Sequence, residues 1–484
     1  MRIWLAAVTL MCCRATAGNW PTFAGSAERL GDNAGETALI NATVPNLSLL
    51  WRRELASPTA AQTVYMEQVA TVNGTHDEVF QATLNGKIWA LNAATGVPDW
   101  RVQLPLSQAQ AGSCVAAGSG IKGTPTIDPV AGIMYVVDGN GGLHALAIGT
   151  GAEQAGYPVQ VIDPVNLFNG SFNHSSPTLV GTMLYITTSG SNACENADQP
   201  YHGSVIAFDT QTQSVVNTFF AMTGTPGGGG IWGPGGALWD PVTGRLFAGT
   251  GNGMGLKVKT PLAESVVALD INANLRDSHS PDKPYVNPLG DVDFASTPTP
   301  IDVPGCAPLL SIMNKNGNLF LYLRSNLAAG PVQVMDISNG GGKSAFIGMA
   351  AYDPAAQMLF INNPIASRNG AVTNGGVALS ISAPSCLLSL AWQTEYGADV
   401  FNGSTRATDP VIAGGVVWFT TGAGDSVLAF DELTGAPLWS SGSALPASVR
   451  TPVTVADGQM FVQSGGALYA WGLANPSARR LARR

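Results

Sequence analysis

One phrase recurs along this chain and constrains its fold more than any other feature. It reads glycine, a short apolar stretch ending in Ala-Leu or Ala-Phe, then Asp or Asn, then Thr-Gly. The clearest copy runs from Asn85 and Gly86 through Trp89, Ala90, Leu91 and Asn92 to Thr95 and Gly96, with Trp100 four residues on. A second runs from Asp425 through Ala429, Phe430 and Asp431 to Thr434 and Gly435, with Trp439 four on. Copies centre on Ala90, Ala145, Ala207, Ala268, Tyr322, Ala378, Ala429 and Ala470, at intervals of 41 to 62 residues. A repeat of that length is one supersecondary unit used many times.

An apolar strand precedes each copy: residues 79–82, 134–137, 184–187, 246–249, 309–312, 358–361, 416–419 and 460–462. Strand runs at this spacing, separated by Gly, Asn and Asp turns, predict an all-β assembly. Four strands per unit arranged in a ring make a β-propeller, whose radial closure protects its strand edges. The last copy, ending at Trp471, leaves almost no chain for a fourth strand. Residues 47–55, with their own Trp51, supply one from the far end, so the ring is expected to have eight blades closed by an N-terminal strand. Seven blades with one degenerate copy is the alternative. The copies at Tyr322 and Ala378 have lost Thr-Gly, which weakens the fifth and sixth units.

Composition suits that fold. Charged residues are only 11% against 58 glycines and 31 prolines, a mixture for short strands and tight turns. A net charge of −9 excludes a nucleic-acid backbone as the natural partner. Residues 1–17 read as a signal peptide: Arg2, an apolar run from Ile3 to Cys13, and a cleavage site at Ala15-Thr16-Ala17. No later stretch is apolar for long enough to span a membrane, so a soluble secreted or periplasmic protein is expected. The single propeller domain is placed at 18–472 and a basic tail at 473–484. Four cysteines remain in the mature chain, Cys114, Cys194, Cys306 and Cys386. An even number in an exported chain favours two disulfides, with three pairings open. No Cys-x-x-Cys-His is present, so no covalent haem is encoded.

These repeats resemble those of the pyrroloquinoline-quinone (PQQ) propeller family, in which the Trp after Thr-Gly packs between neighbouring blades. The same blades occur in quinoprotein dehydrogenases and in non-catalytic scaffolds such as the outer-membrane assembly lipoprotein. Three stretches resemble the enzymes. Trp232, in the Gly-rich run at 230–233, matches the Trp on which the quinone lies, with Pro234-Gly235-Gly236 as extra residues; Asn252, in Thr250-Gly251-Asn252, matches a metal ligand. Asp293, in a segment one residue shorter than the family's, falls on the catalytic aspartate and metal ligand. Lys315, in Lys315-Asn316-Gly317, matches the lysine that contacts the quinone oxygens. Cys114 stands where the enzymes carry two adjacent cysteines, and Asn192 where they carry a metal-binding glutamate, with Glu195 nearby as a substitute.

The resemblance therefore implies an alcohol or polyol dehydrogenase using PQQ and calcium, with a separate electron acceptor. A calcium ion takes oxygen ligands such as Asn252 and Asp293 offer. A carboxylate at Asp293 can take the alcohol proton, and Lys315 can polarise a carbonyl as a fixed charge. The alternative is a propeller scaffold or binding protein that has lost the cofactor. Simpler roles exist for each residue: Trp232 as an inter-blade packing residue, Asn252 as a turn residue at positive φ, Asp293 as a loop cap, and Lys315-Asn316-Gly317 as a type I′ hairpin. His144, read as lying on the inner strand of the second blade, and His202 near the channel mouth are expected to be structural. No histidine pair has metal-ligand spacing, which argues against a zinc site.

Overall fold

The computed structural model describes residues 18–107, 118–162, 170–190, 201–224, 227–253, 261–282, 292–339, 348–396, 408–421, 426–447 and 449–474 of the 484. They form eight sheets, each with a four-strand antiparallel core, in sequence order around a ring. Blade 1 holds Val64–Thr71, Gly74–Ala82, Lys87–Asn92 and Pro98–Gln103, and blade 2 begins at Thr126–Asp128. The other innermost strands are Thr178–Val180, Leu238–Asp240, Thr299–Ile301, Ala351–Asp353, Val411–Ala413 and Thr454–Ala456. The expected eighth closure is present: Leu47–Glu54 pairs antiparallel with Ala467–Leu473, Trp51 opposite Ala470. Each apolar strand found in the sequence is the second of its blade.

The core lies between blades. Phe80 and Ile88 of blade 1 pack with Met134 and Val136 of blade 2, and Phe247 and Ala268 of blade 4 with Leu310 and Phe320 of blade 5. Second strands such as Met358–Asn363 are therefore buried on both sides, while outer strands such as Ser214–Phe220 are mostly exposed or half-buried. This explains why the middle strands read as continuous apolar runs.

The repeated phrase is a lock between neighbouring blades. Trp51 donates its indole N–H to the carbonyl of Ala93 (2.9 Å), Trp100 to Ile148 (2.7 Å) and Trp392 to Glu432 (2.9 Å). In each case the acceptor begins the Thr-Gly turn of the next blade, and the turn glycine lies against the indole. A Cβ on Gly96 would stand 2.6 Å from Trp51, on Gly151 2.7 Å from Trp100, and on Gly435 2.7 Å from Trp392. These glycines also take φ of 66° to 72°, which other residues resist.

Where the phrase decays, other chemistry holds the interface. Asp277 of blade 4 accepts backbone N–H groups of Leu327 and Ala328 in blade 5. Gln333 of blade 5 exchanges two hydrogen bonds of 2.8 Å with the backbone of Leu388 in blade 6. The same pair of blades is tied by the disulfide Cys306–Cys386. Cys114 and Cys194 lie outside the described residues, as do residues 1–17 and nearly all of the basic tail.

The N-terminal segment fills the axis. Trp20 pairs with Tyr65 of blade 1, Ile127 of blade 2 donates to Pro21, Trp239 of blade 4 to Ala27, Tyr352 of blade 6 to Leu30 and Ile412 of blade 7 to Gly31. Arg29, fully buried, donates to the Pro177 carbonyl (2.9 Å) and Thr178 hydroxyl (2.8 Å) of blade 3. Asn33 reaches Val455 of blade 8 at 2.8 Å. His144 departs from expectation in place: Gly142–Ala147 is the third strand of its blade, two strands out from the innermost, Thr126–Asp128. There it is buried between Asp138 (3.1 Å) and Glu153 (2.5 Å), a satisfied structural residue.

Candidate functional site

Strands alternate in direction, so links from second to third strand and from fourth strand to the next blade emerge on one face. Trp232 and Asp293 lie in links of the latter kind, before blades 4 and 5, and Asn252 and Lys315 in links of the former kind. All four therefore belong to one mouth of the ring.

The Gly-rich run before Trp232 is pinned as a ribbon between two other loops. Gly228 donates to Tyr201 (2.7 Å), Gly229 to Asn252 (2.9 Å) and Ile231 to Thr188 (3.0 Å), while Gly251 donates to Gly230 (2.8 Å). Backbones meet so closely that a Cβ on Gly203 would stand 1.8 Å from the Gly229 carbonyl. Glycine is needed here for close approach. The ribbon sets the Trp232 ring with its Nε1 edge against Gly230 and Gly251, where an added Cβ would come within 2.7 and 2.9 Å. That Nε1 is buried and has no hydrogen-bond partner among the described residues.

Asp293 is the centre of the group. Its side chain is 2% exposed, and its Oδ1 accepts the backbone N–H of Asn252 at 2.5 Å. Its Oδ2 accepts from Lys315 Nζ at 2.8 Å, a side chain itself 9% exposed. Lys315 is placed by its own main chain, which donates to the Asp293 carbonyl (2.9 Å). The ammonium also stands 6.0 Å from the Trp232 ring centroid. The buried carboxylate and the buried ammonium are in direct contact, with little water to replace either partner.

The simpler readings of two residues are not realised. Among the described residues, non-glycines at positive φ include neither Asn252 nor Asn316. The turn at 314–318 closes with Gly317 alone left-handed, at φ 85°, and is thus not a type I′ pair. Two neighbours escaped the sequence. Tyr201 meets Trp232 edge-on at 6.0 Å, and His174 lies 5.3 Å from it, its Nε2 donating to the Gly190 carbonyl (3.0 Å). Contacts between residues so far apart in the chain leave no local spacing to read. His202, bridged to Gly228, lines the same region with its Nδ1 buried and unpartnered among the described residues. Cys114, Asn192 and Glu195 lie outside the described residues.

The fold has clear counterparts among solved structures. The quinohemoprotein alcohol dehydrogenase from Comamonas testosteroni superposes with a TM-score of 0.70 at 16% identity, over 95% of this chain and 81% of that one. A europium-containing methanol dehydrogenase gives 0.72 at 14% identity, over 94% and 98%. BamB from Moraxella catarrhalis gives 0.52 at 15% identity, over 89% and 98%. At these identities the likeness is one of fold. No curated protein sequence matches this one. The family model PQQ_2, described as outer membrane protein assembly factor BamB, matches residues 16–219 and 369–479. With that match spanning most of a ring whose blades lock through the Thr-Gly glycine and the tryptophan of the neighbour, the chain belongs to the PQQ_2 family of propeller-repeat proteins.

Proposed function

We propose that this protein is an exported quinoprotein dehydrogenase that oxidises an alcohol or polyol with bound PQQ and calcium and passes the electrons to a separate acceptor. The observation that carries the reading is the convergence of Trp232, Asn252, Asp293 and Lys315, spread over 84 positions of sequence, on one mouth around the Asp293 carboxylate. These residues suit the cofactor. Trp232 offers an aromatic face, Lys315 a cation for anionic or carbonyl oxygens, and Asn252 with Asp293 the oxygen donors calcium prefers. PQQ, when bound, supplies a two-electron acceptor that no protein side chain can replace.

The chain's own part is binding and proton handling. Asp293, oriented by Lys315, is the carboxylate that would take the hydroxyl proton of the alcohol. The Asn252 N–H fixes the carboxylate plane by holding Oδ1, leaving Oδ2 as the atom that exchanges lysine for substrate. Trp232, wedged by glycines on its Nε1 edge, keeps a fixed ring plane without side-chain reorganisation. Export is in keeping with the disulfide, and among the described residues no helix is long and apolar enough to cross a membrane.

A second reading, a scaffold that retained the blades and lost the cofactor, is favoured by Asn192 in place of a glutamate and by the single Cys114. Reconstitution separates the two. The purified chain is incubated with PQQ and calcium, desalted, and assayed with an artificial dye and simple alcohols. Quinone absorbance should remain with the protein, and Asp293→Ala should abolish dye reduction. Loss of all quinone on desalting together with no dye reduction refutes the enzyme.

A further inference from the structure

On the opposite face of the ring, blade 1 carries a second cluster. His76 and Glu78 sit two apart on Gly74–Ala82 and so project to the same side of the sheet. Asp99 reaches them from the outermost strand, Pro98–Gln103. The cluster lies beside the hairpin after the first strand and the turn between third and fourth strands, which emerge away from the Asp293 mouth.

Two carboxylates converge on one imidazole nitrogen. His76 Nε2 stands 2.6 Å from Glu78 Oε1 and 2.7 Å from Asp99 Oδ2. That nitrogen can carry one hydrogen at most, so it cannot serve both carboxylates fully. The side chain of Glu78 is 0% exposed, and beyond His76 and Asp99 its oxygens have no hydrogen-bond partner among the described residues. Burying an ionised carboxylate in that state is costly unless a proton or a cation joins it. Asp99 is already oriented: its Oδ1 accepts from Asn73 Nδ2 (2.6 Å) and Thr71 Oγ1 (3.1 Å), turning Oδ2 toward the centre. Such outer hydrogen bonds are what fixes a ligating carboxylate in metal sites.

We propose that His76 Nε2, Glu78 Oε1 and Asp99 Oδ2 bind a divalent cation of the zinc class. The three donor atoms lie within 4.8 Å of one another. Zinc bonds of about 2.0–2.2 Å in a tetrahedron place donors about 3.3 Å apart, so the nitrogen and oxygens need separate by only about 0.7 Å. An imidazole with two carboxylates suits zinc, whereas calcium and magnesium favour all-oxygen sites. The missing histidine pair is no obstacle, because the two carboxylates neutralise the dication. Three protein ligands leave a fourth position, and the His76 side chain, 21% exposed, puts it toward solvent. The ion would clamp the first hairpin of blade 1 to its outer strand.

The test is zinc titration of the full chain after dialysis against a chelator, read by calorimetry, bound-metal analysis and X-ray absorption. One zinc per chain is expected, with one nitrogen and the remaining ligands oxygen at about 2.0–2.2 Å and no sulfur. Glu78→Gln, nearly isosteric and neutral, should weaken binding more than tenfold, and His76→Ala should do the same. Asp293→Asn should leave this zinc in place, which separates the site from the opposite mouth. Failure of the wild-type chain to take up zinc at micromolar concentration overturns the proposal and leaves a shared proton as the answer. So does unchanged affinity in both cluster variants.

Discussion

Replacing Lys315 by methionine tests whether the centre of the candidate site is a desolvated ion pair. The ammonium and the Asp293 carboxylate are 2.8 Å apart, with side chains 9% and 2% exposed. At an effective dielectric near 20, their attraction is about 6 kcal/mol, most of it offset by the cost of removing both from water. Methionine fills much the same volume but strands a buried carboxylate that keeps the hydrogen bond from the Asn252 N–H. Breaking such a pair from one side costs about 3–5 kcal/mol. Asp293→Asn with Lys315→Met removes both charges while the asparagine carbonyl can still accept from Asn252. The double variant should therefore unfold within about 1–2 kcal/mol of wild type, a coupling of at least 2 kcal/mol. Urea unfolding of the four proteins gives the cycle directly, independent of activity. A Lys315→Met loss below about 1 kcal/mol, or strictly additive single effects, would refute the ion-pair account.

The blade lock and the bridges give further expectations. Trp51→Phe removes one hydrogen bond to Ala93 and should cost about 1 kcal/mol, whereas Gly96→Ala, strained at φ 66° and 2.6 Å from the indole, should cost more; equal effects in urea would contradict the lock. Removing Cys306–Cys386, whose partners are 80 residues apart, should lower stability by about 4.5 kcal/mol by loop entropy, seen as a midpoint shift on reduction. Burial, helped by Asp353, pushes the Asp32 carboxyl up from 3.8 to about 7. Its folded pKa lies above the unfolded one, so the folded state holds the proton more tightly and stability falls as pH rises from about 4 to 7. Asp32→Asn should flatten that loss in melting curves at pH 5 and 8; an unchanged slope would dismiss Asp32 as its source.

The sequence disclosed much of the ring because the lock has two conspicuous halves. Tryptophans such as Trp51 and Trp100 are rare enough to stand out, the Thr-Gly pairs at Gly96 and Gly151 recur in a fixed context, and their spacing repeats. At blades 5 and 6 the same joint is made by Asp277, Gln333 and a disulfide, residues with no shared pattern, so the copies look degraded though the interfaces are complete. In the candidate site, Trp232, Asn252, Asp293 and Lys315 could be picked out because their local strings resemble a family. Tyr201 and His174 could not, since they reach Trp232 only through the folded ribbon of glycines. The axial segment was invisible for another reason. Its bonds are irregular backbone contacts, and Arg29 sits in a polar stretch that reads as an ordinary surface loop.

That segment has a consequence for how the molecule is put together. Residues 20–33 bond to blades 1, 2, 3, 4, 6, 7 and 8, and only about a dozen residues later the same chain is the outer strand of blade 8. A hub joined so closely to the rim is held by the same stretch of chain that supplies the outer strand of blade 8. The segment is in effect a peptide ligand that the ring carries covalently. A chain cut between residues 33 and 47 should then behave as a receptor for the missing piece, recovering its stability when that peptide is supplied in trans.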